Sequence, residues 1–325
     1  MAARLATVFG GSGFVGRQVV RELARRGWRV RAAVRRPHTA GFLKPMGDVG
    51  QIQIMGADIL DRDQIAAAMQ GAEAVVNTVG VLYQKGRYSF DAVHVRGARA
   101  IAEIAADKGV ARLAHLSAIG ADAEADALYA RTKGAGEAAV RAAFPNATIL
   151  RPSIIFGPGD DFFNRFAAMA RFSPFLPAIG FGRTRFQPVY VDDVADAACE
   201  SLDRPAATGR TFELGGPAVY SFSELMQIML EVIERKRILV PIPFAIAELI
   251  GLAGQAFGHL TPWAPPITVD QVRLLKRDNI VGASGEANIG TLKDFGFQPR
   301  ALEPIIPVYL ERFRKYGQFE PSRVG

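Results

Sequence analysis

The chain has 325 residues, 49% of them hydrophobic and 22% charged, which is enough apolar matter to bury a large core and excludes a disordered polar chain. Its 39 Lys and Arg against 32 Asp and Glu leave a net charge of +7, which favours acidic partners such as a nucleotide phosphate or an anionic lipid. The basic residues are dispersed without interleaved aromatics, so nucleic acid is not expected as a partner. A lone Cys199 excludes an internal disulfide and reads as a buried structural thiol suited to a reducing compartment. The histidines at 38, 94, 115 and 259 lack ligand spacing, so no metal is expected. The first strand, starting near Leu5, leaves no room for an export signal of roughly 15 to 30 residues.

In chain order, short β-rich runs alternate with amphipathic helical stretches: RLATVF, a helix over 14–26, WRVRAAV, IQIMGA, a helix over 62–69, AEAVVNTV, a helix over 90–107, ARLAHLS, a helix over 127–143 and ATILRPS. This rhythm predicts an α/β fold, a Rossmann-type doubly wound parallel sheet, over residues 1–157. Beyond it Pro158, Pro174, Pro177, Pro188, Pro205 and Pro217 punctuate shorter elements, predicting a smaller mixed α/β lobe over 158–317 and a tail at 318–325. FQPVYVDDVADAACESL, a strand feeding a helix, and RTFELGG, a further strand, are expected to return to the sheet.

Gly10, Gly13 and Gly16 form G-x-x-G-x-x-G between an apolar strand and a helix carrying Val15, Val19 and Leu23. Glycine permits a tight turn and close backbone approach to a pyrophosphate, and the helix N-terminus offers unpaired N–H groups. Ser12 and Phe14 in this turn, and Gly80 after the fourth strand, complete the expected nucleotide lining. About twenty residues on, where an NAD site offers Asp or Glu to the ribose, the second strand ends in AAVRRP. Arg35 and Arg36 there suit a 2′-phosphate, so NADP(H) is preferred over NAD(H); each arginine taken singly also reads as a solvated surface charge. Asp58 in GADILD either accepts from the adenine amino group or caps the helix near Arg62.

HLSAIGADAEADALYARTKGAGE sets Ser117 at a strand end, with Tyr129 and Lys133 four apart on the next helix. A tyrosine that exchanges a proton near neutral pH needs an adjacent ammonium, and a serine hydroxyl can polarise a substrate oxygen.

Together, VFGGSGFVG, GADILD, HLSAIGA, YARTKGAGE, ILRPSIIFGPGD and QPVYVDDVADA resemble the short-chain dehydrogenase/reductase superfamily in its extended and atypical branches, over essentially residues 3 to 315. AAFPNATILRPSIIFGPGDDFFNRFAAMARF and RFQPVYVDDVADA are most similar to the NADPH-binding accessory subunits of respiratory complex I, of the alpha-subcomplex subunit nine type. That resemblance implies a tightly bound NADPH remote from electron transfer and a structural role where the peripheral arm meets the membrane, near the quinone site. The other complex I subunits are the implied partners, and the implied location is peripheral, on the cytoplasmic face of a bacterial inner membrane. Ser117, Tyr129 and Lys133 then order the nucleotide without turnover, while the same trio keeps open an active NADP-dependent reductase, epimerase or dehydratase. One departure bears on this choice: VHVRGAR has His94 where many extended relatives carry Asn, which weakens a proton relay and leaves a satisfied buried histidine as the common reading.

Residues 238–260, ILVPIPFAIAELIGLAGQAFGHL, are the most hydrophobic stretch. About 15 helical residues span only ~22 Å, short of a ~30 Å hydrocarbon layer, so the stretch is either a core helix or an interfacial helix lying on lipid or hydrophobic subunits. Arg235, Lys236 and Arg237 precede it and suit anionic headgroups or plain solvation. Ser221 with Glu224 predicts a capping box before LMQIMLEVI, and Arg183 and Arg185 suit a phosphate or a partner carboxylate.

Overall fold

The computed structural model describes residues 4–260, 268–315 and 317, so the expected tail at 318–325 lies outside the described residues. The chain begins with β1 (Leu5–Phe9), α1 (Phe14–Arg25), β2 (Arg29–Val34), β3 (Ile52–Gly56), α2 (Arg62–Ala68) and β4 (Ala74–Asn77). A π-helical turn at Asp91–Gly97 runs directly into α3 (Ala98–Asp107), followed by β5 (Arg112–Leu116), α4 (Leu128–Ala143) and β6 (Thr148–Pro152). Then come β7 (Ile155–Phe156), α5 (Phe162–Phe172), β8 (Phe175–Ile179), β9 (Arg185–Phe186), β10 (Val189–Tyr190), α6 (Val191–Asp203) and β11 (Thr211–Leu214). The last elements are β12 (Tyr220–Ser221), α7 (Phe222–Val232), β13 (Ile238–Ile242), α8 (Phe244–Leu260), α9 (Val269–Leu274), β14 (Gly290–Thr291) and α10 (Ile306–Leu310).

Eight strands form one sheet in the order β14-β11-β6-β5-β4-β1-β2-β3, every neighbouring pair parallel. Helices on its faces explain why β4 and β6 are buried at every residue, since a parallel strand between two helical layers has no solvent side. The strand order reverses at β1, between β2 and β4, and such a switch point opens a crevice at the carboxyl ends of the strands.

The chain divides into two compact units. The first comprises 1–152, 191–214 and 284–298, with a core of Phe9, Ile65, Met69, Val75, Ile101 and Ile149. The second comprises 153–190, 215–283 and 299–325, built on Phe156, Phe163, Leu176, Phe222, Met226 and Ile306. The first crossing, at Pro152, precedes the 157/158 border expected from the prolines. RTFELGG enters the central sheet as β11, whereas FQPVY does not: β9 pairs antiparallel with β12, and β10 pairs with β7. Pro188 has no N–H to give to a ladder and separates the two short strands. The helix that follows, α6, belongs to the first unit and packs on α1, where Arg21 pairs with Asp192 at 2.8 Å and Arg26 with Glu200 at 2.8 Å. Cys199 is buried in this contact, and burial pushes its thiol well above the ordinary range, as expected of a structural cysteine.

In the second unit the capping box is present: the Glu224 N–H donates to Ser221 Oγ at 3.2 Å, and the Ser221 N–H to the Glu224 carboxylate at 2.6 Å. The apolar stretch from 238 is not helical throughout. Its first five residues are β13, paired in parallel with β8, and α8 starts only after Pro243. Among the described residues no helix is long and apolar enough to cross a membrane.

Candidate functional site

Gly10 follows β1 with φ +78° and would bring a Cβ to 2.9 Å from Thr78 Oγ1. At Gly16 a Cβ would fall 2.1 Å from the Gly10 carbonyl oxygen, so the turn closes only without side chains at these points. The Gly13 N–H donates to that same carbonyl at 2.8 Å, and Gly13 stands as the N-cap of α1. This helix has no side-chain cap and no acidic residue in its first turn, with Ser12 and Phe14 half-buried beside it. By contrast, α2 is capped by Asp61, which accepts from the Asp63 and Gln64 N–H groups. An uncapped helix N-terminus behind a glycine turn at the switch point fits a pyrophosphate.

Arg35 and Arg36 stand exposed just beyond β2, and among the described residues neither makes an ion pair. The Arg35 guanidinium lies 4.5 Å from the centre of the Tyr88 ring. Asp58, after β3, is not the helix cap. One of its oxygens accepts the Leu60 N–H at 3.0 Å, and the other meets the Arg87 guanidinium and the Tyr88 hydroxyl, the latter at 2.7 Å. Burial works against ionisation here, but the Leu60 N–H, the Tyr88 hydroxyl and Arg87 together hold the carboxyl below its ordinary range. Its second oxygen is thus engaged by the 85–88 turn, a contact that strand-end spacing could not reveal.

Ser117 lies just past β5, buried, and among the described residues its hydroxyl oxygen has no hydrogen-bond partner. Lys133 is buried on α4 and, among the described residues, donates one hydrogen bond, to the Leu116 carbonyl at 3.1 Å. An ammonium has three donors, so two remain for a ligand. Burial pushes this lysine down to about 8, with the Glu137 charge working in the opposite direction. Its Nζ is 6.0 Å from the centre of the Tyr129 ring, and a Cβ on the exposed Gly80 would come within 3.4 Å of it.

His94 sits in the π-helical turn, a distortion found frequently at functional sites. Its ring meets Tyr129 edge-on at 5.3 Å and stacks on Phe90 at 5.4 Å. The Val81 N–H donates to Nε2 at 3.2 Å, so Nδ1 carries the proton and donates to Thr132 Oγ1 at 3.1 Å; that hydroxyl in turn donates to the Leu128 carbonyl at 2.9 Å. Burial, reinforced by the charge of Lys133, pushes His94 down to about 2. It is a neutral ring with both nitrogens bound by protein, which leaves none to pass a proton. Gly136 makes the arrangement possible, because a Cβ there would fall 2.1 Å from the His94 carbonyl oxygen. The GAG in YARTKGAGE, costly to a helix, is the sequence signal for this close approach of α4 to the π turn.

The remaining candidate arginines lie in the second unit. Arg185 is bound to Asp278 at 2.7 Å, and Arg183 lies 5.5 Å from the Phe181 ring centre. Arg235 and Arg237 donate to the carbonyls of Phe313 and Ala170, each bond fixing a charge beside β13.

The model of the NAD dependent epimerase/dehydratase family matches residues 6–215. The chain is 35% identical over 320 residues to NADH dehydrogenase (ubiquinone) 1 alpha subcomplex subunit 9, mitochondrial, of Arabidopsis thaliana, covering 96% of this chain and 79% of that one. The chain belongs to this family, in its complex I subunit 9 branch. It is also 30% identical over 297 residues to a ceramide reductase of Caulobacter vibrioides, covering 91% of both. Among solved structures, the UDP-glucose 4-epimerase of Thermus thermophilus in complex with NAD superposes with a TM-score of 0.68 at 18% identity, over 96% of this chain and 99% of that one. The superposition agrees with the eight-stranded Rossmann-type sheet; the family of nucleotide-dependent proteins fits the glycine turn and the buried Lys133.

Proposed function

We propose that the chain is an NADP(H)-binding accessory subunit of a bacterial NADH:quinone oxidoreductase, stabilising the junction of its peripheral and membrane arms near the quinone site. The observation that carries this reading is the pair of under-bonded buried groups, Lys133 on α4 and Ser117 past the carboxyl end of β5, in a chain alike over 96% of its length to a subunit 9 protein. The glycine turn from Gly10 to Gly16 would cradle the pyrophosphate, Arg35 and Arg36 a 2′-phosphate, and Lys133 the ribose next to the nicotinamide. When bound, the nicotinamide supplies a hydride that can be exchanged. The neutral His94, with both nitrogens engaged, supports holding the nucleotide over turning it over.

The exposed face of α8 supports peripheral attachment to a membrane boundary. Ile246, Leu249 and Leu252 are 51%, 68% and 61% exposed, while Ala247 and Gly251 turn inward, and the positive charges of Arg235, Lys236 and Arg237 precede β13. Such a face suits anionic lipid or hydrophobic subunits at the cytoplasmic side. A second reading, an NADP-dependent reductase, is favoured by the likeness to the ceramide reductase together with the Ser117, Tyr129 and Lys133 set. Purification of the native protein from membranes separates the two. Co-elution with a flavin and iron–sulfur assembly, with quinone reductase activity surviving Tyr129→Phe, is the expected result; a soluble homodimer that oxidises NADPH would overturn it.

A further inference from the structure

On β6 and α4, the first unit buries a guanidinium between two carboxylates. Arg151, on β6, is 7% exposed. Its Nε and Nη2 donate to the carboxylate of Glu137, itself buried on α4, at 2.9 and 2.8 Å, and its Nη1 donates to both oxygens of the half-exposed Glu286 at 3.0 Å. The strand register sets the buried Glu213 of β11 opposite Arg151. Arg141, one turn beyond Glu137, is engaged elsewhere, by the Gly209 carbonyl and the Thr211 hydroxyl. A cavity of about 330 Å³ opens here, lined in part by Asp122, Glu137, Arg151 and Glu286.

Glu137 follows Lys133 by four residues on α4, the spacing at which a carboxylate and an ammonium meet along a helix. Among the described residues no ion pair joins them, because the Glu137 carboxylate is taken by Arg151 in a paired, fork-like contact.

We propose that Arg151 is a positioning residue for Lys133: it takes the Glu137 carboxylate, is itself held by Glu286, and so leaves two ammonium donors of Lys133 unclaimed for a nucleotide ribose. This rests on the NADP(H) reading for the identity of the ligand, though not for the pairing itself. The groups that face Lys133 support it. His94 from the π turn and His115 from β5 are both held neutral by burial, and Tyr129 shares its helix. Glu137, with Arg151 and Glu286 behind it, is the charge that acts on Lys133 from its own helix, opposing the lowering by burial. Without Arg151, that carboxylate would turn to Lys133, raise its proton affinity and occupy its donors. Because Glu286 is half-exposed, the charge at the ribose end of the site is governed from the protein surface.

The test reads Lys133 directly, by NMR titration of ¹³Cε-labelled lysine in the full nucleotide-free chain, with Lys133→Arg assigning the signal. Arg151→Gln should raise the Lys133 midpoint by about one pH unit, the effect of an opposite charge released nearby. The same variant should weaken NADPH binding at pH 7 about tenfold, the worth of a charge-assisted hydrogen bond. Glu137→Gln/Arg151→Gln, which removes both charges, should return the midpoint to the parent value or below, and Glu286→Gln should raise it by a smaller amount. A folded Arg151→Gln that melts earlier but titrates Lys133 as the parent does would overturn the proposal and leave a merely structural ion pair. If Arg151→Gln does not fold, the Glu286→Gln midpoint decides in the same way. Failure of the parent to bind NADPH would count against the nucleotide reading alone, because the midpoint is read without nucleotide.

Discussion

The two units of this chain break the usual rule of burial in opposite directions. The first hides an ammonium: Lys133 is 4% exposed with one hydrogen-bond partner among the described residues. The second displays hydrocarbon, with Leu249 and Leu252 on α8, Ile238 on β13 and Phe172 on α5 all more than half exposed. Both arrangements cost stability in the isolated chain, and they differ in how much they say about what relieves the cost. A buried ammonium with two unused donors is directional and demands acceptors at fixed places, so it points to a ligand of definite chemistry. An apolar face is non-directional and states only that an area is to be covered. The buried ammonium therefore specifies the chemistry of its ligand, whereas the apolar face specifies only an area.

The strongest way to break this contrast is at the turn. Gly16→Val sets carbon atoms against the Gly10 carbonyl and should cost about 3 kcal/mol or more with complete loss of NADPH from the purified protein, read by 340 nm absorbance and thermal melting. Nucleotide retained by that variant would mean it binds elsewhere. Next is Lys133→Met. The folded lysine loses its proton near pH 8 and the unfolded one near 10.5, so the burial cost is full below pH 8 and disappears as pH rises to 10.5. The variant should thus melt higher than the parent at pH 7, by up to about 3 kcal/mol, converge with it by pH 10.5, and bind NADPH at least about tenfold more weakly. A variant less stable than the parent at pH 7 would make Lys133 a structural residue.

Arg35→Gln/Arg36→Gln should weaken NADPH binding by about 2 kcal/mol and leave NADH within about threefold, since charge-assisted hydrogen bonds to the 2′-phosphate are lost. Equal losses by calorimetry would remove the NADPH preference. On the other unit, Ile246→Ser/Leu249→Ser/Leu252→Ser should fold and bind NADPH as the parent does, because these side chains are mostly exposed, yet hold about tenfold less well to anionic vesicles at both low and high salt. Undiminished retention would move the attachment surface away from α8. The smallest effect is acid sensitivity. His94 and His115 stay neutral when folded, at about 2 and about 3, but take up protons below pH 6.5 when unfolded. Stability should therefore fall by about 1 kcal/mol between pH 7 and pH 6, and His94→Gln should remove about half of that dependence in urea titrations.

The parts legible in the sequence are those set by local spacing. The glycine turn, the amphipathic α1 and the run of parallel strands through β6 follow from periodicities within a few residues of each other, as does the Ser221 capping box. Contacts between residues distant in sequence were not legible: the Arg87 and Tyr88 hold on Asp58, the Thr132 hydroxyl beneath His94, and Arg151 between Glu137 and Glu286. No spacing rule announces a partner 29 or 135 residues away. The two-residue strands around Pro188 escaped for a related reason, since their pairing comes from tertiary neighbours and not from alternation.

The interruption of the first unit has a consequence for synthesis. Strand β6 ends at Pro152, but its outer neighbour β11 begins only at Thr211. On the ribosome, at about 5 to 20 residues per second, the emerging sheet spends several seconds with the hydrogen-bonding edge of a strand that folding buries at every residue open to pairing with any other chain. A fragment cut at residue 152 would stay in that state permanently and should precipitate. The nascent chain thus passes through an interval in which chaperone capture competes with aggregation before the strand that closes the edge has been made.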